Sequence, residues 1–156
     1  MLYQKILVPL DGSEFGECAL GDVKAIAKGC SVPLVELLSV VQPPRESMTY
    51  GYPESFREED LGKVISQVKE YLSRVEKKLQ QEGIETRSVV LKGNAAENII
   101  DYAAKNSFDL IIMSTHGRSG PARWALGSVA DRVIRYSVVP VLVVSPPGCR
   151  IGVGGT

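Results

Sequence analysis

The sequence predicts an α/β domain: a doubly wound, five-stranded parallel sheet of order 3-2-1-4-5 with helices on both faces. Three observations carry this. Short apolar runs alternate with amphipathic stretches along the whole chain, and parallel strands need a covering crossover between them. The third apolar run, with Thr86, Arg87 and Ser88, is polar enough for a sheet edge, whereas the first, second and fourth read as central. No internal repeat, linker or second composition interrupts the 156 residues, which suits one domain over residues 1–146 and a Gly-rich tail over 147–156, expected to be disordered.

Lys5–Pro9 is a short buried strand, and the helix after it turns Phe15, Ala19, Val23 and Ile26 inward, with Gly29 expected as its left-handed cap. Pro33–Val41 is the second strand. Prolines and turn formers in Gln42–Phe56 argue against regular structure there. Leu61, Ile65, Val68, Leu72, Val75 and Leu79 step by four and three, which predicts a long helix that Gly83 stops. Thr86–Leu91 is the third strand. Asn94 followed by Glu97 is a capping-box start for the next helix. Asp109–Ser114 is the fourth strand, "SVADRVIRY" the last helix and Pro140–Ser145 the fifth strand. At a sheet edge, "VVPVLVV" leaves an apolar ribbon that Pro140 blunts only at its start. Pairing with the same strand of a second copy, as a two-fold dimer, covers it; coverage by the tail or a helix is the alternative.

Composition narrows the function classes. Lysine plus arginine and aspartate plus glutamate are equal at 18 each, so nothing favours nucleic acid or an anionic membrane, and no run approaches the roughly 20 apolar residues of a transmembrane helix. The start "MLYQKILVPLDGS" reads as a first strand rather than a signal peptide. Cys18, Cys30 and Cys149 are odd in number and form no CxxC, which points to a reducing, cytoplasmic setting.

In the 3-2-1-4-5 order the winding reverses between strands one and four, and ligands in such sheets bind at the carboxyl ends of the strands that flank the reversal. Those ends are Pro9–Ser13 and Ser114–Gly120. Gly117 and Gly120 allow close backbone approach, and Gly127–Ser128 opens a helix whose first amides favour phosphate oxygens. Ser128 with Asp131 is equally a capping-box variant that needs no ligand. Asp11 with Glu14 likewise reads as a helix cap, a ligand contact, or both.

The stretch "IIMSTHGRSGPARWALGSVADRVIRYSVVPVLVV" resembles the carboxyl-terminal signature of the universal stress protein family, in its ATP-binding branch. That branch carries a Gly-x2-Gly-x9-Gly-[Ser/Thr] loop. Gly117, nine intervening residues and Gly127–Ser128 match it, while Ser114 stands at the first glycine position. "KILVPLDGSE" and "VELLSVV" resemble the family's first two strands, so the similarity runs from about Tyr3 to Ser145. It implies the same sandwich, of the adenine nucleotide alpha hydrolase-like type, and an ATP, ADP or AMP ligand accompanied by Mg2+ or Mn2+. By position it implies Asp11 beside ribose and phosphates, reaching a metal directly or through water, and Pro9 on the pocket floor. Val40 would offer backbone contacts to adenine, and Met113 and Ser114 would border base and ribose. Gly117, Gly127, Ser128 and Val129 would cradle the phosphates. Gly93 matches a rim glycine, with Ala95 where a proline is common. A homodimer through strand five and a downstream protein partner, which the sequence does not name, complete the implication.

Other phosphate chemistries fit less well. There is no GxxxxGK[ST], no GxGxxG after the first strand and no GxSxG. A receiver domain would need an aspartate where "LKG" stands and a lysine where "VVSPP" stands. His116 has no Ser or Cys partner in the pattern, Arg118 and Arg123 suit either phosphate oxygens or solvent, Trp124 suits an apolar plug, and Tyr50, Tyr52 and Phe56 suit a lid or a partner contact. The expected function is a cytoplasmic, dimeric, ATP-binding stress-response protein with at most slow hydrolysis; the alternative is a nucleotide-free interaction module of the same fold.

Overall fold

The computed structural model describes residues 2–43, 58–115 and 126–145. The elements are β1 (Lys5–Pro9), α1 (Glu14–Glu17), α2 (Leu20–Gly29), β2 (Leu34–Val41), α3 (Glu58–Gln81), β3 (Thr86–Lys92), α4 (Ala95–Lys105), β4 (Leu110–Ser114), α5 (Ser128–Tyr136) and β5 (Val141–Val144). The strands form one parallel sheet in the order β3-β2-β1-β4-β5. Gly117, Gly120, His116, Arg118, Arg123, Trp124, Tyr50, Tyr52, Phe56, Cys149 and the 147–156 tail lie outside the described residues.

Alternation along the strands divides the core into two layers, because successive side chains point to opposite faces. On one face, Ile6, Val8, Val35, Leu37 and Ile112 pack against Val23 of α2 and Leu72, Val75 and Leu79 of α3. On the other, Leu7, Leu38, Ile111 and Met113 pack against Ile99 and Ala103 of α4 and Val133 of α5. Of the stripe that the four-and-three spacing of α3 predicts, Leu72, Val75 and Leu79 are buried, each contributing about 1.5–3 kcal/mol, Val68 packs partly buried against them, and Leu61 and Ile65 are only half-buried.

Two expectations need correction near α2. The first helix is two: α1 ends at Glu17 and α2 begins at Leu20. Ala19 and Val23 are buried as predicted, Ile26 is half-buried, and the Phe15 side chain is outside the described set. Gly29 is the last residue inside α2, not its left-handed cap; the chain turns at Ser31, with φ 50°. The turn therefore needs no glycine, since a serine tolerates this region when the amides of Cys30 and Ser31 are satisfied by Ile26 and Lys28 carbonyls. Gly83, at φ 83°, follows α3 as expected.

One charge sits deep in the sheet. Glu36, on β2, is only 2% exposed. Its Oε2 accepts from Arg87 Nε of β3 at 2.6 Å, and its Oε1 accepts a short bond from the Tyr102 hydroxyl of α4. A buried carboxylate is tolerated only when its oxygens are filled, and here the edge strand β3 and the helix α4 supply the partners. Burial, the bond to Glu36 and the Glu36 charge push the Tyr102 phenol up to about 12.

Replacing Arg87 with methionine leaves this carboxylate without its cation and is expected to cost about 3 kcal/mol in urea unfolding. The raised Tyr102 phenol adds stability that is complete below its unfolded value near 10 and is lost as pH rises through about 12. Tyr102→Phe should flatten that alkaline loss; an unchanged alkaline profile would show that the phenol is not its source.

Candidate functional site

The strands that flank the reversal are paired over only two positions, Ile6 with Leu110 and Leu7 with Ile111. β1 then runs on to Pro9 and β4 to Ser114 without pairing to each other, so the sheet opens between them at its carboxyl end. A cleft of about 270 Å3 lies there. Pro9, Asp11, Val40, Met113, Ser114, Gly127, Ser128 and Val129 all line it. These are the eight predicted site residues that fall within the described chain; Gly117, the ninth, falls outside it.

The β1 wall is held by a compact turn. The Leu10 amide donates to the Leu38 carbonyl at 2.8 Å, and Ser39 Oγ donates to the Leu10 carbonyl at 2.6 Å. Asp11 Oδ1 then accepts from both the amide and the hydroxyl of Ser13, at 2.9 and 2.6 Å, across Gly12. Gly12 stands at φ 85°, where a Cβ is strained, which is why the turn carries glycine. Ser13 Oγ in turn accepts from the Gly16 amide. Ser13, not Asp11 or Glu14, is therefore the cap of α1. Asp11 supports that cap from behind, so the cap and ligand readings of Asp11 reduce to one indirect capping role and one face on the cleft.

β2 supplies the next wall. Leu38 is the last residue opposite β1, facing Pro9, and Val40 lies two residues beyond. Main-chain groups alternate sides along a strand, so the Val40 N–H and C=O point the same way as the Leu38 carbonyl, past the end of β1 pairing. Leu38, Ile99, Ala95 and Ala130 complete an apolar floor. Gly93, at φ 125°, is at the β3–α4 turn and does not line the cleft; a Cβ there would stand 2.9 Å from Asn98 Nδ2. Asn94 caps α4 by accepting from the Glu97 amide, as predicted.

The start of α5 closes the site. Its cap is Gly127, with no side-chain capping bond, and Asp131 instead pairs with Arg135 Nε at 3.0 Å. The capping-box reading of Ser128 and Asp131 is thus overturned: Ser128 is already helical, and the Asp131 carboxylate is drawn one turn forward by the arginine. The Gly127 amide is spent on the Thr115 carbonyl at 2.7 Å, so it is not among the donors offered to a ligand. The amides of Ser128, Val129 and Ala130 precede the first intrahelical bond, from Asp131 to Gly127. Three bonds to an anion at about 1.5–3 kcal/mol each supply much of the roughly 8 kcal/mol of micromolar affinity.

Sequence reasoning missed Leu10, Gly16, Leu38, Ile99, Thr115 and Ala130 as site residues, and these line the same cleft; Ala95, expected at the rim, lines it too. Most of them read as ordinary core or helix residues, and only the meeting of β1, β2, β4, α4 and α5 makes them a wall. Cys18 and Cys30 are free thiols, and the Cys18 thiol donates to Ser114 Oγ at 3.5 Å across the α1–β4 contact. Behind the β1 turn, the Tyr71 hydroxyl of α3 is buried with no hydrogen-bond partner among the described residues. Burial and the nearby Glu17 and Asp11 charges push that phenol upward. Among the described residues, no three His, Cys, Asp or Glu side chains are grouped to hold a metal ion, and no helix is long and apolar enough to cross a membrane.

The universal stress protein family model matches residues 2–145. The chain belongs to the universal stress protein family. Universal stress protein MJ0531 of Methanocaldococcus jannaschii is 34% identical over 151 residues, spanning 94% of this chain and 84% of its own. The solved structure of MJ0577 from the same organism superposes with a TM-score of 0.80 at 35% identity, covering 94% of this chain and 98% of the other. A universal stress protein of Archaeoglobus fulgidus, solved in complex with dAMP, superposes with a TM-score of 0.61 at 25% identity, covering 92% and 98%. As in those relatives, the sheet here is the family's five-stranded parallel one, with helices on both faces.

Ser13→Ala removes the α1 cap and the hydroxyl that Asp11 holds. It should lower stability by about 1 kcal/mol, with Ser13→Thr retaining most of it, as read by thermal or urea unfolding.

Proposed function

We propose that this universal stress protein binds ATP, or its di- or monophosphate, in the cleft between β1 and β4, and acts as a cytoplasmic, homodimeric regulator in a stress response. The observation that carries the reading is the junction of an apolar floor with the open first turn of α5. Leu38, Val40, Ile99 and Met113 suit the flat face of a base, and the Ser128, Val129 and Ala130 amides suit phosphate oxygens. The dAMP complex of the Archaeoglobus fulgidus relative supports the ligand class.

The residues divide the work. Val40 main-chain groups face the base edge, and Met113 with Ser114 borders base and ribose. Asp11, held by Ser13, stands by the ribose and phosphates. A carboxylate beside phosphates repels them unless a hydroxyl or a metal mediates, so Mg2+ or Mn2+ held mainly by phosphate oxygens, with Asp11 reached directly or through water, belongs to this reading. The donor set agrees with it, since Asp11 is the acidic side chain that lines the cleft and a metal held by the protein alone would need more ligands. When bound, the metal supplies charge neutralisation. No residue of the described site stands as a strong general base, which fits at most slow hydrolysis. Gly117 is assigned to the phosphates with Ser128 and Val129, and Gly127, whose amide is held by Thr115, to the close backbone approach beside them.

The dimer forms through β5, whose outer edge has no partner strand among the described residues. Pairing with its own copy about a two-fold axis satisfies that edge.

Calorimetric titration with MgATP should give a dissociation constant in the micromolar range. Gly127 has φ −59° and ψ 149°, which any residue adopts, so Gly127→Phe should fold normally yet abolish binding. Binding weaker than millimolar in the unaltered protein would move the assignment to a nucleotide-free interaction module.

A further inference from the structure

Thr115 joins the two places that this reading makes functional. Its amide donates to the Val144 carbonyl of β5 at 2.9 Å, and its carbonyl accepts the Gly127 amide at the cap of α5 at 2.7 Å. One peptide segment at the end of β4 therefore anchors the last residue of the edge strand and the helix start that faces the cleft. The same helix leads to an apolar surface. Six large hydrophobic side chains are exposed among the described residues, and four belong to the α5–β5 stretch: Ile134, Tyr136, Val138 and Leu142, at 40, 65, 81 and 37%. Tyr136 ends α5, Val138 lies in the turn that leads into β5, and Leu142 is on the edge strand itself. A second copy of this chain fits there because a strand edge is self-complementary across a two-fold axis.

We propose that cleft occupancy and self-association are thermodynamically linked through the Thr115 peptide, so that nucleotide tightens the dimer and the dimer tightens nucleotide. The inference rests on the nucleotide and dimer reading above and adds the coupling between them. Its physical basis is shared ordering. An anion on the Ser128–Ala130 amides orders the start of α5 and, through Gly127 and Thr115, the end of β5. Pairing of β5 orders the same bonds from the other side, and whichever event comes first reduces the entropy cost of the second. Linkage makes the factor reciprocal.

The test uses the full chain. Sedimentation over a dilution series, with and without saturating MgATP, gives the dimer constant. ATP titrations below and above the dimer midpoint give the nucleotide constant. The expected result is a tighter dimer with ATP and tighter ATP binding in the dimer, by one common factor of about 5–150 per site. Hydrogen exchange at the Thr115 and Gly127 amides should slow both on adding ATP and on raising protein concentration. Leu142→Lys, on the edge strand and away from the cleft, should give a monomer that binds ATP more weakly by that factor. The wild-type dilution arms decide the matter if this variant fails to fold. ATP binding and dimerisation that leave each other's constants unmoved would overturn the coupling and leave the nucleotide reading standing. Absence of ATP binding at millimolar concentration would overturn both.

Discussion

Two backbone pairings, Ile6 with Leu110 and Leu7 with Ile111, hold the halves of this sheet together. Everything at the cleft follows from how soon they stop. β1 pairs with β2 along its whole length, and β4 pairs with β5 from Ile111 to Ser114, so each half is a well-registered ribbon. Between the halves the ladder ends early, the crossovers go to opposite faces, and the carboxyl ends of β1 and β4 part. Space is thus built in by topology rather than carved by small residues.

What lines that space is held from outside it. Ser39 and Leu38 fix Leu10, Asp11 is fixed by Ser13, and Gly127 is fixed by Thr115. In each case main chain or a short hydroxyl provides the restraint, and such groups lose little side-chain entropy on ordering. Among the described residues, the surface left toward the cleft is mostly apolar, with amides at one end and the Asp11 carboxylate on the rim.

The Glu36, Arg87 and Tyr102 cluster performs a different task below the cleft. β3 is the more polar edge and pairs with β2 alone, so a salt bridge from its second residue to a buried glutamate adds a side-chain tie to the backbone ladder. The same glutamate binds α4, the helix that presents Ala95 and Ile99 to the cleft floor. Arg87 remains 58% exposed, so the cation keeps much of its hydration while the carboxylate loses nearly all of its own. A floor built on α4 is positioned in part by this one anion.

The strands, the long helix and the strand order were legible because periodicity and the placement of polar residues reflect burial directly: Leu72, Val75 and Leu79 could face only a core, and Thr86–Ser88 only an edge. Cap identities were not. Asp11, Ser13 and Glu14 offer side-chain acceptors within four residues, as do Ser128 and Asp131 beside Gly127, and which residue caps depends on where the chain enters the helix and on competing partners such as Arg135. The sequence by itself determined the alternating fold, the reversal between strands one and four, and the loops that meet there, since local patterns of hydrophobicity and turn residues encode them. Only the tertiary structure decided that Gly127 spends its amide on Thr115, that Ile99 and Leu38 become walls of the cleft, and that Glu36 survives in the core. Each of these depends on atoms brought together from distant strands, and no spacing along the chain records that meeting.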